Sequence, residues 1–171
     1  MSFLLCNLVC QEAFPNLEKL SLRLKGTVEI WRGQFSRVSF LKLSDLTIKG
    51  CQGISVVIPS NMVPILHNLE QLLVTMCESV NEVIQVEIVG NDGHELTDNE
   101  IEFTRLKSLT LHHLPNLKSF CSSTRYVFKF PSLETMVVRE CHGMEFFCKG
   151  VLDAPRLKRV QDEFFRRMLA G

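Results

Sequence analysis

The sequence predicts an α/β solenoid of short repeats, with a parallel sheet on a concave face and a mostly irregular convex side. Three observations predict it. A nine-residue segment recurs along the chain, its last apolar residues alternate with polar ones, and a Cys follows several copies at one fixed distance. Apolar residues make up 46% of the 171 residues, which is enough to fill the core of such a solenoid.

The recurring segment is clearest as FPNLEKLSL, from Phe14 to Leu22. It returns as FLKLSDLTI, LHNLEQLLV, FTRLKSLTL and FPSLETMVV, and a shortened copy, APRLKRV, ends at Val160. The first leucines of the copies are Leu17, Leu43, Leu69, Leu106, Leu133 and Leu157. Their separations of 26, 26, 37, 27 and 24 residues mostly match leucine-rich repeats, which are ~20–29 residues long. We therefore predict about six repeats over 14–160, a partial preceding repeat over 1–13 and a tail or cap over 161–171.

Alternation within each copy predicts a strand with one buried face. Leu20 and Leu22 should point inward, while Ser21 and Arg23 should point outward. A single copy cannot bury its apolar face, so the copies must stack side by side around a shared core. An aromatic residue three positions before the first leucine predicts a second apolar spine, made of Phe14, Phe40, Phe103 and Phe130.

Cysteines occupy one repeat position, eight residues after the first leucine, at Cys51, Cys77 and Cys141. Stacking would bring Cys51 and Cys77 within ~5 Å, a separation that a disulfide can span. Side chains that point the same way rarely meet the dihedral requirement of a disulfide, so we predict buried free thiols. The seven cysteines show no Cys-x-x-Cys pairing, which disfavours a zinc site.

The longest interval, between the third and fourth copies, contains an acidic insertion over residues 85–102 with no Lys or Arg. Its polar composition predicts an exposed loop, although Val86, Ile88 and Val89 could form a short extra strand. At the carboxyl end, we expect Phe164 and Phe165 to cover the last core layer.

The outward strand positions are the candidate partner-binding face. The last such position in each copy predicts a basic to neutral ridge of Arg23, Lys49, Thr75, His112 and Arg139. The remaining candidates on this face are Lys19, Asp45, Gln71, Lys107 and Glu134. Two interpretations stay open: these positions are polar only because they are solvated, or they form a docking strip for an acidic partner surface.

Other function classes find little support in the composition and motifs. Nineteen basic residues balance nineteen acidic ones, which disfavours nucleic acid and anionic membranes as partners. Phosphate-binding glycine loops and His-Glu-x-x-His are absent, and the neighbours His112 and His113 should face opposite sides of a strand. We expect no catalytic, cofactor or metal site. The odd cysteine count and the lack of glycosylation sequons and of a signal peptide favour a cytoplasmic protein. We expect the isolated chain to be monomeric.

Several longer phrases resemble one specific family. The stretches EIWRGQF, LTIKGCQGI, FTRLKSLTLHHLPNLKSF and FPSLETMVVRECHGMEFF are similar to the leucine-rich repeats of plant intracellular coiled-coil, nucleotide-binding disease-resistance proteins. The resemblance spans roughly residues 14–160. It implies recognition of a pathogen effector or a guarded host protein, and restraint of the nucleotide-binding switch.

The resemblance also implies a larger receptor, because these 171 residues lack the P-loop and the other switch motifs of that family. We expect a fragment or truncated relative whose partner is an effector, a host protein or the nucleotide-binding domain of the same receptor. The alternative is a free-standing leucine-rich-repeat scaffold or adaptor.

Overall fold

The structure, a computed structural model, describes residues 14–26, 30–31, 35–86 and 99–162. In chain order the strands are β1 Lys19–Leu22, β2 Asp45–Lys49, β3 Val56–Pro59, β4 Gln71–Thr75, β5 Glu82–Gln85, β6 Asn99–Glu102, β7 Ser108–His112, β8 Tyr126–Lys129, β9 Thr135–Arg139, β10 Val151–Asp153 and β11 Arg159–Asp162. A 3-10 helix, Ser60–Met62, follows β3. The described ranges contain no α-helix.

One strand from each repeat enters a six-stranded parallel sheet with the order β1-β2-β4-β7-β9-β11. The register aligns equivalent residues of successive repeats, so that Leu46 pairs with Leu72 and Leu72 pairs with Leu109. The predicted solenoid is therefore confirmed. We call the solvent side of this sheet the concave face.

The core lies directly behind the sheet and is built from columns of equivalent apolar residues. The first-leucine column and the two inward strand columns are at most 2% exposed in the four middle repeats, and comprise Leu43, Leu46, Ile48, Leu69, Leu72, Val74, Leu106, Leu109, Leu111, Leu133, Met136 and Val138. Burying each such side chain contributes about 1.5–3 kcal/mol. The period-two pattern in the sequence predicted these positions correctly.

The two ends of the sheet are less well covered than its middle. Leu20 and Leu22 in β1 are only half-buried, and Val160 in β11 is 48% exposed. Each end strand has a described neighbour on one side only, as a linear stack of repeats requires.

The predicted aromatic spine is present in the interior of the coil. Phe40, Phe103 and Phe130 are buried, and the rings of Phe103 and Phe130 stack with centroids 5.4 Å apart. Phe14 stacks on Phe40 but remains 43% exposed, because it lies in the first described repeat.

Two small parallel sheets make the remaining sides more regular than the mostly irregular convex side that we expected. One sheet pairs β3 with β5, and the other has the order β10-β8-β6. Isolated bridges, including Cys121 with Cys148, continue the first ladder into later repeats. Their inward residues, such as Ile58, Ile84 and Phe128, close the core from behind.

The acidic insertion is more ordered at its two boundaries than the loop prediction allowed. Gln85 ends β5, and the last four residues of the interval form β6, in which Ile101 is buried. Apolar contact and pairing with β8 outweigh the polar composition there. Ile88, Val89, Phe164 and Phe165 lie outside the described residues, so the extra strand and the cap stay predictions.

Each interior strand of the long sheet is followed by a residue in the left-handed backbone region. These residues are Gly50, Met76, His113 and Glu140, with φ of 61°, 56°, 53° and 52°. The N–H groups of Gly50, Met76 and His113 each donate to the carbonyl that ends the next strand, at 2.9–3.1 Å. The left-handed turn therefore takes the chain out of the sheet while keeping the ladder between repeats.

Candidate partner-binding face

The middle of the concave face is uncharged. Its central column, in register across the sheet, is Ser21, Thr47, Leu73, Thr110, Val137 and Gln161. Leu73 and Val137 are half-buried, and their apolar side chains alternate with the hydroxyls of Thr47 and Thr110. This column offers a partner apolar contact and hydrogen bonding, with no charge to desolvate.

Charged residues line the edge of the face where the strands begin, and most of them pair with each other. Glu70 Oε2 lies 2.7 Å from Lys107 Nζ, and Glu70 Oε1 lies 3.3 Å from Arg105 Nη2. The hydrogen bond from Lys107 lowers the pKa of Glu70. Lys19 with Asp45, at 3.8 Å, and Lys158 with Glu134, at 3.7 Å, are looser pairs.

The register places the candidate residues of this edge in two adjacent columns. Gln71 pairs with Ser108, and Ser108 pairs with Thr135, so Lys107 and Glu134 lie one residue before their strands. They belong to the column of Glu70, whose carbonyl accepts hydrogen bonds from the N–H groups of Lys107 and Ser108. Lys19, Asp45 and Gln71 form the adjacent column.

The predicted ridge lies at the opposite edge, where the strands end. Lys49, Thr75, His112 and Arg139 occupy successive positions in register. Arg23 follows β1, and its Nε would lie 3.4 Å from a Cβ added at Gly50, so its side chain crosses that glycine. Within the described residues, neither Arg23 nor Lys49 has an acidic partner within ion-pair distance.

Thr75 does not extend this ridge as an accessible side chain. It is 8% exposed, and its hydroxyl lies 3.4 Å from His112 Nδ1. A small side chain between two longer neighbours is covered by them, which the sequence pattern could not show. The ridge therefore has a basic part at Arg23 and Lys49 and a separate part at His112 and Arg139.

His112 and His113 both contact one carboxylate, contrary to the expectation that they face opposite sides. His113 Nδ1 lies 2.8 Å from Glu140 Oε2, and His112 Nε2 lies 3.2 Å from Oε1. Strand alternation stops at His113 because its backbone is left-handed. The hydrogen bonds from His113 and His112 lower the pKa of Glu140.

Glu140 partly neutralises this end of the ridge, which the sequence did not indicate. Thr75, His112 and Glu140 also place a hydroxyl, an imidazole and a carboxylate in line. The hydroxyl is buried and its contact is long, so the arrangement orders the side chains and does not present a nucleophile.

The cysteine column is buried, and its thiols are free, as predicted. Its hydrogen bonding was missed. Cys51 Sγ accepts from Leu24 N–H at 3.2 Å, and Cys77 Sγ accepts from Cys51 N–H at 3.4 Å. Each thiol also faces carbonyls at the end of a strand, as Cys77 Sγ does at Thr75 O, 3.3 Å away. These thiols therefore provide hydrogen-bond partners for backbone N–H and carbonyl groups in the turn between repeats.

Burial and hydrogen bonding separate the acidities of the first two thiols. The Cys77 thiol donates to the Cys51 thiol, which lowers the pKa of Cys51, and this side-chain hydrogen bond together with burial raises the pKa of Cys77. Because Cys51 is fully buried, this pair has a structural role.

Within the described ranges, no cluster of three or more His, Cys, Asp or Glu side chains is arranged to hold a metal ion. No helix in that part of the chain has the length and apolar character needed to cross a membrane.

Comparison with known proteins agrees with the repeat architecture. A family model described as "Plant disease resistance protein RPS2-like, leucine-rich repeats" matches residues 16–148, which is most of the chain. No curated protein and no solved structure matches the chain. Leucine-rich-repeat solenoids are typically non-enzymatic modules that mediate protein–protein interaction. The chain therefore belongs to the RPS2-like leucine-rich-repeat family of plant disease-resistance proteins.

Proposed function

We propose that this chain is the protein-recognition region of an intracellular plant immune receptor. It binds a pathogen effector or a guarded host protein on the concave face, and it restrains the nucleotide-binding switch of the receptor. The proposal includes a cytoplasmic location and the absence of catalysis and of a cofactor. Membership of the family supports the receptor context.

The observation that carries the proposal is the composition of the concave face. An uncharged central column lies between an edge of paired charges and an edge that carries Arg23 and Lys49, two cations with no acidic partner among the described residues. An apolar and hydroxyl-rich centre inside a charged rim is the usual composition of a protein interface. The sheet holds these side chains at fixed spacing, which reduces the entropy lost on binding.

The test uses two central substitutions, Thr47→Arg and Thr110→Arg, which place long charged side chains over the middle of the face. The 171-residue wild type and the double variant are each immobilised and exposed to plant cell extract and to a purified nucleotide-binding region of an RPS2-like protein. The double variant should lose the proteins that the wild type retains. It should also lose any slowing of nucleotide exchange that the wild type imposes.

The matched control carries Ser55→Arg and Glu145→Arg, at exposed positions outside the long sheet. This control should behave like the wild type. Equal retention by the concave variant and the wild type would show that the concave face is not the binding surface. If the concave variant lost its extract partners while neither protein affected nucleotide exchange, recognition by the concave face would be supported and restraint of the switch would be ruled out.

A further inference from the structure

Strand β6 lies at the open edge of the three-stranded sheet, on a different side of the coil from the concave face. Phe103 N–H donates to Lys129 O at 2.9 Å, so Ile101 and Phe103 turn their backbone groups toward β8. In a parallel sheet, alternate residues hydrogen-bond to opposite neighbours, so Glu100 and Glu102 turn theirs away from β8. No described strand pairs with β6 on that side.

The sheet stops at β6 because the third repeat has a turn where the later repeats have a strand. The strands β6 and β8 each begin seven residues before the first leucine of their repeat. The equivalent four residues in the third repeat are 62–65. There, Ile65 and Leu66 donate to the carbonyl of Met62 at 3.0 Å, and Pro64 has no N–H to offer a sheet.

A cleft of about 660 Å³ runs along the open edge of β6. Its apolar lining comes from three repeats and consists of Val38, Leu41, Val63, Pro64 and Ile101. Val38 and Leu41 are 43% and 41% exposed, so a partner would bury apolar surface on both side chains. An extended segment paired with β6 would cover them with alternate side chains.

Glu100 and Glu102 outnumber Arg37 among the charged residues that line the cleft, so the charge there favours a basic occupant. Glu100 Oε1 already lies 2.5 Å from Lys129 Nζ on β8, and this hydrogen bond, together with the charges of Glu100 and Glu102, raises the pKa of Lys129. Glu102 has no ion pair of its own among the described residues. A Lys or Arg at the facing position of an added strand would pair with it.

Charge also disfavours two other occupants. A second copy that paired edge to edge would bring Glu100 and Glu102 close to their own counterparts, and like charges across strands repel. Residues 87–98, which precede β6 in the chain, include four acidic residues and no Lys or Arg. Their charge does not complement that of β6.

We propose that the open edge of β6 is a second docking surface, which binds an extended, basic and apolar segment of a partner protein as an added β-strand. Main-chain hydrogen bonds to Glu100 and Glu102 supply the affinity. The apolar cleft and Glu102 select the side chains. This surface is separate from the concave face and does not depend on the function proposed for that face.

The probe is a labelled, end-blocked peptide TRYVFKF, the sequence of residues 124–130, because it combines two basic residues with apolar ones and includes the strand β8. Fluorescence anisotropy should show saturable binding to the whole 171-residue chain. Substitution of both basic residues of the peptide by Glu should weaken binding. The substitution Glu102→Lys should weaken it about five- to tenfold, as expected for a reversed cross-strand pair.

A second variant tests the edge itself. Glu102→Pro removes an N–H that points away from β8, so it should abolish binding while circular dichroism shows an unchanged fold. Glu134→Lys, on the concave face, is the matched charge control and should bind the peptide like the wild type.

Three results would overturn the proposal. The first is no saturable binding up to about 1 mM peptide. The second is loss of binding in the Thr47→Arg, Thr110→Arg variant, which would put the peptide on the concave face. The third is binding that occurs only after residues 87–98 are replaced by a Gly-Ser linker, because the edge would then be occupied by the chain itself.

Discussion

At the scale of single residues, the least expected feature is the left-handed turn that follows each interior strand. Only Gly50 of the four residues there avoids a steric penalty, while Met76, His113 and Glu140 have positive φ with a full side chain. Such a residue costs about 1 kcal/mol or more relative to glycine. The ladder of hydrogen bonds between repeats offsets this cost.

Met76 provides a clean test of this strain because its side chain is 51% exposed and contributes little to the core. Met76→Gly should raise the free energy of unfolding by about 0.5–1 kcal/mol. Met76→Val should lower it by more than about 1 kcal/mol, because β-branched residues avoid this region. Urea denaturation measures both changes.

The control for this test is Thr47→Gly, a glycine placed within strand β2, where it should destabilise by about 0.5–1 kcal/mol. If Met76→Gly destabilised the chain as much as Thr47→Gly does, the strain at Met76 would be absent.

Glu140 should make the thermal stability of the chain depend on pH. Hydrogen bonds from His113 and His112 lower its pKa in the folded chain, so its contribution to stability is present above the unfolded pKa and is lost as pH falls through the folded one. The difference in Tm between wild type and Glu140→Gln should therefore be present at about pH 6 and should shrink below the ordinary value of 4.5.

Calorimetry across this pH range measures the difference, and Glu145→Gln, on a different side of the coil, is the control. A Tm difference that stayed constant down to about pH 3 would show that the histidines do not stabilise the carboxylate.

The sequence predicted the orientation of single side chains correctly where the alternation of a strand alone decides it. Leu46 and Ile48 point inward because strand side chains alternate, and both are fully buried. Thr75 and His113 were misjudged for different reasons. Thr75 is covered by neighbours from other repeats, and His113 itself has the left-handed backbone conformation, which its residue type did not indicate.

At the scale of elements, the spacing of leucines fixes the long sheet, whereas the smaller sheets depend on contacts between repeats. The period-two pattern was enough to place β2, β4, β7 and β9. Strands β6 and β10 were not foreseen because polar residues dominate β6 and β10 is a short strand of exposed residues. Both strands are ordered because they pair with β8, which lies between them.

Gly150 tests how closely β10 approaches β8. A Cβ added to Gly150 would lie 2.0 Å from the carbonyl oxygen of Tyr126, which is backbone and cannot easily move. Gly150→Ala should therefore lower the free energy of unfolding by about 1–3 kcal/mol, as overpacking does elsewhere. Chemical denaturation measures the change.

Thr124→Ala, at a nearby exposed position, is the control and should change stability by less than about 0.5 kcal/mol. A Gly150→Ala variant as stable as this control would mean that β10 does not pack against β8 as described.

At the scale of the whole molecule, the chain is a linear stack in which each repeat contacts only its neighbours. Interior side chains should therefore matter more than their equivalents in the end repeats. Leu109→Ala, in the fully buried interior, should cost about 2–5 kcal/mol of unfolding free energy. Leu20→Ala, at the half-buried equivalent in β1, should cost roughly half as much, since a smaller apolar area is lost.

Urea denaturation of the two variants, with Thr110→Ala on the solvent side as a control, compares these costs. Equal costs at Leu109 and Leu20 would indicate that β1 is covered on both sides, against the linear arrangement of the described repeats.

Hydroxyl-radical footprinting of the complex with a retained partner would locate the surface that the partner covers. If the partner binds the concave face, oxidation of Leu73, His112 and Val137 should fall in the complex. Oxidation of Val151 and Leu152, which are exposed near the carboxyl end of the solenoid, should be unchanged. Protection of Val151 and Leu152 with unchanged oxidation of the concave side chains would show that the partner binds elsewhere.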